Sequence, residues 1–355
     1  MAKGLVTVED STLLSLAKCV TAAPSADNSQ PWVMALAGVH AAKICYAKER
    51  VAGHTFGPLA PATLLSIGAV QENIRQTADA QGSSVDFRRW PDLDSDAYFK
   101  VVWGSDAVWR NGPAQSVLAR HTNRFPYQKT PVPRELLTEI GQFTEGDARV
   151  VSVTDHSRDK VAGLIRRASQ VRFQTREVHE WLGQSLRFTP TEVAQGDGLD
   201  VATLALPPGG AALLRFLTPW SRMRMLNRVG GYRLMAAIEA VPISAGPSLV
   251  AIVSPSSKDH WLDAGMLMER VWIALNQAGL AVHPYYVVPD QLHRLREGQV
   301  PAPLREQVNG LAEQCKPLFG LVADEQLQML LRVGYPTIEA PRSRRLPETA
   351  LLAGK

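Results

Sequence analysis

Two long helical patterns of the same form constrain what this chain can fold into. The first begins at Pro61 and ends before Gly82, and its apolar residues recur on one stripe. The second covers 260–278, ends before Gly279 and is apolar over most of its circumference, which is typical of a helix buried from several directions. Strand patterns precede and follow each helix. This repeat of strand pair, helix, glycine and strand predicts two similar halves.

The remaining elements are predicted from periodicity and from helix start and stop signals. Helices are expected at 10–22, 133–143 and 157–175, and strands at 32–36, 43–47, 85–89, 98–103, 148–154, 248–254 and 283–287. The rhythm breaks at about 180–245, where Gly and Pro clusters are more typical of a functional excursion than of a core sheet. We therefore predict an α+β fold of two α/β halves, 1–112 and 113–355, forming an internal pseudo-dimer with a lid at about 180–245.

Composition and charge exclude several classes of protein. With 45% hydrophobic and 20% charged residues, the 355-residue chain is unlike collagen, a coiled coil or a disordered protein. Its net charge of +4 is too small to indicate a nucleic-acid partner. No apolar run reaches the ~18–20 residues that span a bilayer, and the first residues lack the apolar core of a signal peptide. We therefore expect no membrane partner and a cytoplasmic location.

Several motifs with known chemistry are missing from the sequence. There is no GxGxxG behind a strand, no GxxxxGK[ST], no GxSxG and no HExxH. The eight histidines are scattered, and Cys19, Cys45 and Cys315 form no CxxC pair. We expect reduced thiols and no metal site.

The most specific segment is the run Ala-Pro-Ser-Ala-Asp-Asn-Ser-Gln-Pro-Trp at 23–32, between the first helix and the first strand. Pro24 and Pro31 fix a tight turn. The turn exposes the side chains of Ser25 and Asn28 together with backbone N–H groups, which can bind the polar edge of a heterocycle. Proline, serine, asparagine and aspartate are also ordinary loop residues, so composition alone leaves a turn's function open.

Three segments resemble signatures of the nitroreductase superfamily, whose members bind FMN. The run at 23–32 is similar to APSxxNxQPW, and the run RHTNRF at 120–125 is similar to RRSxRxF or RHSxKxF, which holds the flavin phosphate. Near the end of the chain, Gly-Tyr-Pro at 334–336 precedes a basic cluster at 341–345, as in that family. The resemblance implies a nitroreductase-like fold and an FMN cofactor.

The order of these motifs resembles the internally duplicated Acg-like branch of the superfamily. In simple nitroreductases, one subunit of a homodimer supplies the basic motif and the other supplies the Ser/Asn turn. Here the turn lies in the first half and the basic motif in the second, and residues 1–22 contain only Lys3 and Lys18 as basic residues. The arrangement implies one FMN per chain, covered by a lid, in a monomer or a weak homodimer.

The resemblance also assigns roles to individual residues. Forked, permanently charged arginines suit a phosphate, and the strand at 283–287 would lie beside the flavin ring. The residues expected to bind FMN are Pro24, Ser25, Asn28, Gln30, Arg120, Thr122, Arg124, Pro284, Val287, Arg342 and Arg344. Tyr285 or Tyr286 is expected to donate a proton or to stack on the ring, although buried tyrosines are also common in strands.

The sequence thus predicts an FMN-dependent oxidoreductase that acts on a small organic substrate, with NAD(P)H as the expected donor. Two alternatives stay open. A lid that closes the flavin off would favour a protein that stores or sequesters FMN, and reversed electron flow would give a flavin dehydrogenase with oxygen as acceptor. The basic residues at 166–167 and 222–228 are either exposed helix faces or a site for a phosphorylated substrate.

Overall fold

Eleven strands and thirteen helices form the part of the chain that the computed structural model describes, residues 8–51, 56–89, 97–105, 109 and 111–352. The strands are β1 (Trp32–Gly38), β2 (Ala41–Tyr46), β3 (Val85–Arg89), β4 (Ala97–Trp103), β5 (Thr144–Glu145), β6 (Ala148–Val153), β7 (Leu186–Arg187), β8 (Leu199–Asp200), β9 (Ser248–Ser254), β10 (Ala281–Tyr285) and β11 (Gln326–Gly334). The helices are α1 (Val8–Ala22), α2 (Pro61–Ala80), α3 (Gln115–Ala119), α4 (Arg134–Ile140), α5 (Arg158–Gln174), α6 (Arg176–Ser185), α7 (Pro190–Val193), α8 (Gly210–Leu217), α9 (Trp220–Arg228), α10 (Gly231–Ala245), α11 (Lys258–Gln277), α12 (Val287–Arg296) and α13 (Arg305–Phe319). The α+β class predicted from the sequence is confirmed.

The two large sheets have the same strand order. The first is β1-β2-β4-β3, and the second is β5-β6-β9-β11-β10, all antiparallel. If the two-residue β5 is set aside, each sheet places its strands, counted along the chain, in the order first, second, fourth and third. A long helix follows the second strand in both, namely α2 in the first sheet and α11 in the second.

The paired helices α2 and α11 match each other in detail. Each has 20 residues, and a glycine stands at the eighth position, Gly68 in α2 and Gly265 in α11. The helices pack together at these glycines: a Cβ on Gly68 would lie 2.0 Å from the Leu262 carbonyl oxygen, and one on Gly265 would lie 2.2 Å from the Leu65 carbonyl oxygen. Only residues without a Cβ allow backbones this close.

A continuous apolar core joins the two sheets through α1, α2 and α11. β9 is buried on both faces, because Val250 and Ile252 contact this core while Leu249, Ala251 and Val253 contact a second core beneath α5, α10, α12 and α13. Successive residues of a strand point to opposite faces. The nearly continuous apolar sequence of β9 therefore follows from cover on both sides.

The excursion at 180–245 is largely helical. Several of its glycines and prolines stand at helix starts: Gly209 is the N-cap of α8, Pro219 that of α9 and Gly230 that of α10. The strand expected at 283–287 lies two residues earlier in the chain, since β10 covers Ala281–Tyr285 and α12 begins at Val287. Among the described residues, none of the helices combines the length and apolar character that crossing a membrane requires.

Candidate functional site

A cavity of about 550 Å³ lies between the turn after α1 and the segment that follows α3. This volume is in the range of small-molecule and cofactor sites. The walls include residues of α1, α11, β10 and the C-terminal tail, defined here as 341–348. Eight of the residues predicted to bind the cofactor line the cavity: Pro24, Ser25, Asn28, Arg120, Thr122, Arg124, Pro284 and Arg342. Folding thus brings two motifs together that are about a hundred residues apart in sequence.

The turn at 23–31 has a strained backbone. Asp27, Asn28 and Gln30 have φ angles of 49°, 58° and 47°, in the left-handed region that L-residues rarely adopt. The Gln30 N–H donates to Ser25 Oγ at 2.9 Å and helps to close the turn. Strained backbone of this kind costs on the order of 1–3 kcal/mol per residue and clusters at ligand sites.

Asn28 holds two other segments against the turn. Its Nδ2 donates to the carbonyl oxygens of Gly198 at 3.0 Å and Arg344 at 2.9 Å. Its Oδ1 accepts a hydrogen bond from the guanidinium of Arg345 at 2.6 Å. One buried amide therefore ties the turn to the loop at 196–198 and to the tail.

Gln30 makes a second, parallel connection. Its Nε2 donates to the Gly196 carbonyl oxygen at 2.9 Å, and its Oε1 accepts from the Leu346 N–H at 3.1 Å. The loop and the tail also touch each other, because a Cβ on Gly196 would lie 2.4 Å from the Arg345 carbonyl oxygen. Gln30 is fully buried and does not line the cavity.

Asp27 brings a carboxyl group to the cavity wall. The Trp181 indole, from α6, donates to its Oδ2 at 3.0 Å. Burial raises the pKa of this carboxyl, while the Trp181 hydrogen bond and the charges of Arg172 and Arg124 oppose the rise. The cavity therefore contains an acid that retains its proton more readily than an exposed aspartate.

Arg120 is held in place by three groups. Its Nη2 donates to the Ala22 carbonyl oxygen at 2.7 Å, at the end of α1, and its guanidinium lies 4.7 Å from the Trp272 ring centroid. Its Nε lies 2.8 Å from Glu269 Oε1, so the two side chains form an ion pair. The orientation of the N–H does not meet the criteria for a hydrogen bond. Burial raises the pKa of Glu269 to about 7 despite the neighbouring Arg120 charge.

Thr122 and Arg124 occupy the wall beside β10. Thr122 forms a parallel bridge with Val282, which places the basic segment next to the strand that carries Pro284. The Nη1 of Arg124 lies 3.4 Å from Thr203 Oγ1, just after β8. Burial lowers the pKa of the Arg124 guanidinium.

Two arginines of the tail line the cavity, but only one of them is among those expected. Arg342 lines the cavity and donates to two carbonyl oxygens at the end of α3, at 2.6 and 3.0 Å. Arg344 is exposed and does not line the cavity. Arg345 lines it instead, and burial, together with the nearby Arg120 charge, lowers the Arg345 pKa to about 9.

Three residues near β10 that the sequence assigned to the site do not line the cavity. Tyr285 is buried with its ring centroid 4.3 Å from that of His283. Tyr286 packs its ring edge-on against Phe56, and Val287 belongs to the second core. The aromatic residue in the cavity wall is Trp272 of α11.

Sequence reasoning missed Asp27, Thr203, Trp272 and Arg345 as lining residues. The signals were weak: Asp27 occupies a variable position of the turn motif, and Trp272 looks like an ordinary apolar position of a central helix. Within the described ranges, no group of three His, Cys, Asp or Glu side chains is arranged to hold a metal ion.

No protein-family model matches the chain. The uncharacterized protein MT1398 of Mycobacterium tuberculosis (strain CDC 1551 / Oshkosh) is 29% identical over 283 residues, and the match covers 76% of this chain and 38% of that protein. The chain therefore spans less than two-fifths of the length of this relative.

Several solved structures are similar to part of the chain. The FMN-dependent nitroreductase NfnB from Mycobacterium smegmatis, in complex with NADPH, is 14% identical, with 64% of this chain and 92% of that chain covered and a TM-score of 0.36. A nitroreductase with bound FMN from Desulfitobacterium hafniense DCB-2 is 14% identical, with 64% and 91% covered and a TM-score of 0.34. An iodotyrosine deiodinase bound to FMN and 3-iodo-L-tyrosine is 16% identical, with 65% and 93% covered and a TM-score of 0.33. TM-scores this low do not assign a fold or an activity.

Proposed function

We propose that this chain is an FMN-dependent oxidoreductase related to the nitroreductases, with one FMN per chain in the 550 Å³ cavity. One observation carries the proposal. The cavity joins the turn that resembles one flavin motif of that superfamily to the basic run that resembles the other. The repeated strand order and the matched helices α2 and α11 support an internal duplication that left a single complete site.

The charge of the cavity wall fits a phosphate. The charged side chains that line it are Lys18, Asp27, Arg120, Arg124, Arg342, Arg345 and Glu348, five cationic and two acidic. Burial lowers the pKa values of Arg120 and Arg345. Repulsion from Arg342 adds to the effect at Arg120, and repulsion from Arg120 adds to it at Arg345, while Glu269 opposes both. A phosphate with nearly two negative charges would relieve that repulsion through forked hydrogen bonds.

The remaining wall fits a planar heterocycle. The polar edge of such a ring can be bound by Ser25 and Asn28, and Trp272 and Leu199 supply apolar surface. Bound there, FMN would supply electron transfer at its N5, with NAD(P)H as the proposed donor and a small organic molecule as the proposed substrate.

The residues of the chain would bind and orient the cofactor and exclude water from it. We assign phosphate binding to Arg120, Thr122, Arg124, Arg342 and Arg345, the last in place of Arg344. Asn28 keeps the loop at 196–198 and the tail closed over the turn. Asp27 would hold a proton at Oδ1 while Trp181 binds Oδ2, which makes it the proposed proton donor. Tyr285 and Tyr286 stay second candidates, because they directly follow the cavity-lining Pro284 in the chain.

FMN storage is a second candidate function, and the closed junction favours it. Loop, turn and tail are tied together by buried hydrogen bonds of Asn28 and Gln30, and such closure limits access to a bound flavin. Anaerobic addition of NADPH separates the two functions. An oxidoreductase loses its flavin absorbance within a catalytic timescale, whereas a storage protein keeps it.

Affinity measurements with FMN and riboflavin test the proposed site. Replacing Arg124 by Ala removes a charged hydrogen-bond donor, which we expect to weaken FMN binding by about 10- to 150-fold. Riboflavin has no phosphate, so its affinity should barely change. The exposed Arg134 of α4 gives the matched control, Arg134→Ala, which should leave both affinities unchanged. Equal losses for FMN and riboflavin, or two FMN per chain, would contradict the proposal.

A further inference from the structure

The described chain exposes its large apolar side chains unevenly. Fourteen such side chains are exposed in the described ranges, and eight of them lie between 206 and 241, with exposed fractions from 37% to 82%. They are Leu206, Leu213, Phe216, Met225, Val229, Leu234, Ile238 and Val241. This tenth of the chain therefore holds more than half of the exposed apolar residues. Clusters of this kind mark interaction surfaces.

The longest helix of this segment, α10, carries apolar side chains on its exposed side as well as on its buried side. Ala236, Ala240 and Ile243 are buried where α10 packs along α5. Leu234 and Ile238, followed by Val241, lie at positions i, i+4 and i+7, which is one stripe of the helix, and all three are exposed. The outward face is as apolar as the inward one.

The same segment carries the net charge of the whole protein. Residues 201–241 contain five arginines and one acidic residue, Glu239, which is paired with Arg172 at 2.7 Å. Without these residues, the chain's 38 basic and 34 acidic side chains become 33 of each. The five arginines, all exposed, are Arg215, Arg222, Arg224, Arg228 and Arg233.

We propose that α8, α9 and α10 form a docking surface for the headgroup region of an anionic phospholipid bilayer. Arginines are attracted to the negative leaflet, each contributing to affinity only within a Debye length of the surface. The exposed aliphatic side chains can then insert into the boundary between headgroups and acyl chains. The helices would lie on the membrane and not cross it, in keeping with their short lengths of 8, 9 and 15 residues.

Charge complementarity favours this occupant over two others. In a symmetric dimer formed through this surface, the arginines of one copy would face those of the other, which is repulsive. A nucleic acid would bind the arginines but would not contact Leu234, Ile238 and Val241 favourably, because most protein contacts to nucleic acids are polar contacts to phosphate and sugar. The proposal is independent of whether the cavity binds FMN.

Vesicle flotation tests the proposal. The protein should float with mixed phosphatidylcholine and phosphatidylglycerol vesicles at about 0.1 M salt, and largely dissociate at about 1 M, where the Debye length falls to about 3 Å. It should not float with phosphatidylcholine alone. No binding to the anionic vesicles, or equal binding to both compositions, would overturn the proposal whatever any variant does.

Two variants separate the roles of charge and apolar contact. Arg224→Glu/Arg228→Glu should lower the vesicle partition coefficient about tenfold or more, since each arginine near the leaflet contributes measurably. The control Lys129→Glu/Arg134→Glu makes the same charge change at two exposed positions elsewhere and should retain most of the binding.

The apolar stripe is tested by the triple variant Leu234→Ser/Ile238→Ser/Val241→Ser. We expect at least about a tenfold loss of partition, with no loss for the control Val39→Ser/Val322→Ser/Ile338→Ser, which alters three exposed aliphatic residues outside the segment. Circular dichroism and melting temperature must match the wild type. If the triple variant instead converts a dimer to a monomer, the surface is a dimer interface and the proposal is wrong. The proposal is also wrong if short duplex DNA binds the protein as tightly as anionic vesicles do and the triple variant does not weaken that binding.

Discussion

The two halves of this molecule share a strand order but differ in what lies between the strands. In the first sheet, β1 and β2 are joined by a short turn, and β3 has alternate residues exposed. In the second sheet, the connection from β6 to β9 contains α5 to α10, and the one from β10 to β11 contains α12 and α13. The first sheet is thus covered mainly on one face and the second on both.

This difference separates two tasks. The shared elements, above all α2 and α11, hold the halves together and set the position of the cavity. The segment inserted between β6 and β9 supplies Thr203, which contacts Arg124 at the cavity wall, and Trp181, which donates to Asp27. It also carries the proposed docking surface. A repeated scaffold can thus be kept while one copy gains insertions, because loops between strands accept long additions at a small entropic cost.

The largest expected effect tests the equivalence of the halves. Gly68→Ala and Gly265→Ala each place a Cβ within 2.0–2.2 Å of a backbone oxygen, so the helices must move apart. We expect each to reduce the free energy of unfolding by about 3 kcal/mol or more. Gly163→Ala in α5 is the control, because its Cβ would meet only the end of Arg167 at 3.6 Å and alanine favours the helix. A large loss for one glycine only would break the symmetry between α2 and α11.

The second prediction concerns the junction between the halves. Asn28→Ala removes hydrogen bonds to Gly196, Gly198, Arg344 and Arg345 and leaves buried partners unpaired. We expect the loop at 196–198 and the tail to open more easily by about 2–3 kcal/mol, seen as faster hydrogen exchange in both segments. Gln128→Ala, which removes one exposed hydrogen bond to the Pro336 carbonyl oxygen upstream of the tail, should have little effect. Unchanged exchange at the junction would show that Asn28 does not hold it closed.

Much of the scaffold was predictable from the sequence, whereas the excursion was not. The helix at 260–278 and the strand at 248–254 follow from apolar patterns that only a central position explains. In 180–245, the same glycines and prolines that usually mark turns stand at helix starts, as Gly209 and Gly230 do. Proline and glycine are compatible with both uses, so sequence alone could not decide between them.

The lining of the cavity was predictable where a motif has a fixed backbone and unpredictable where it has none. Ser25, Asn28, Arg120 and Arg124 line one cavity, as expected for residues in tight segments. The tail at 341–348 has no period to show which arginine turns inward, and Arg345 does so while Arg344 does not. The closing role of Gln30 depends on partners far along the chain and leaves no local signal.

The third prediction uses the titration of Glu269, which is paired with the cavity-lining Arg120. Burial raises the pKa of Glu269 from 4.5 to about 7, so the folded protein binds its proton more tightly than the unfolded chain does. This contribution to stability is complete below pH 4.5 and is lost as the pH rises to about 7, by up to about 3 kcal/mol. Glu269→Gln should remove that part of the pH dependence in denaturant unfolding. Asp290, whose pKa is raised to about 6 by burial, titrates in both proteins and cancels from the comparison. Parallel profiles would mean that Glu269 stays charged in the folded state.

The smallest expected effect isolates a single hydrogen bond between the excursion and the turn at 23–31. Trp181→Phe removes the indole donor 3.0 Å from Asp27 Oδ2, which costs about 1 kcal/mol of stability. Because that bond favours the charged carboxylate, its loss should raise the Asp27 pKa further and shift the pH profile of NADPH-driven flavin reduction upward. Trp220→Phe is the matched control, since Trp220 packs against His179 within the excursion and does not line the cavity. If both variants leave the profile unchanged while flavin reduction persists, Asp27 is not the proton donor, and the excursion contributes closure alone to the site built by the two halves.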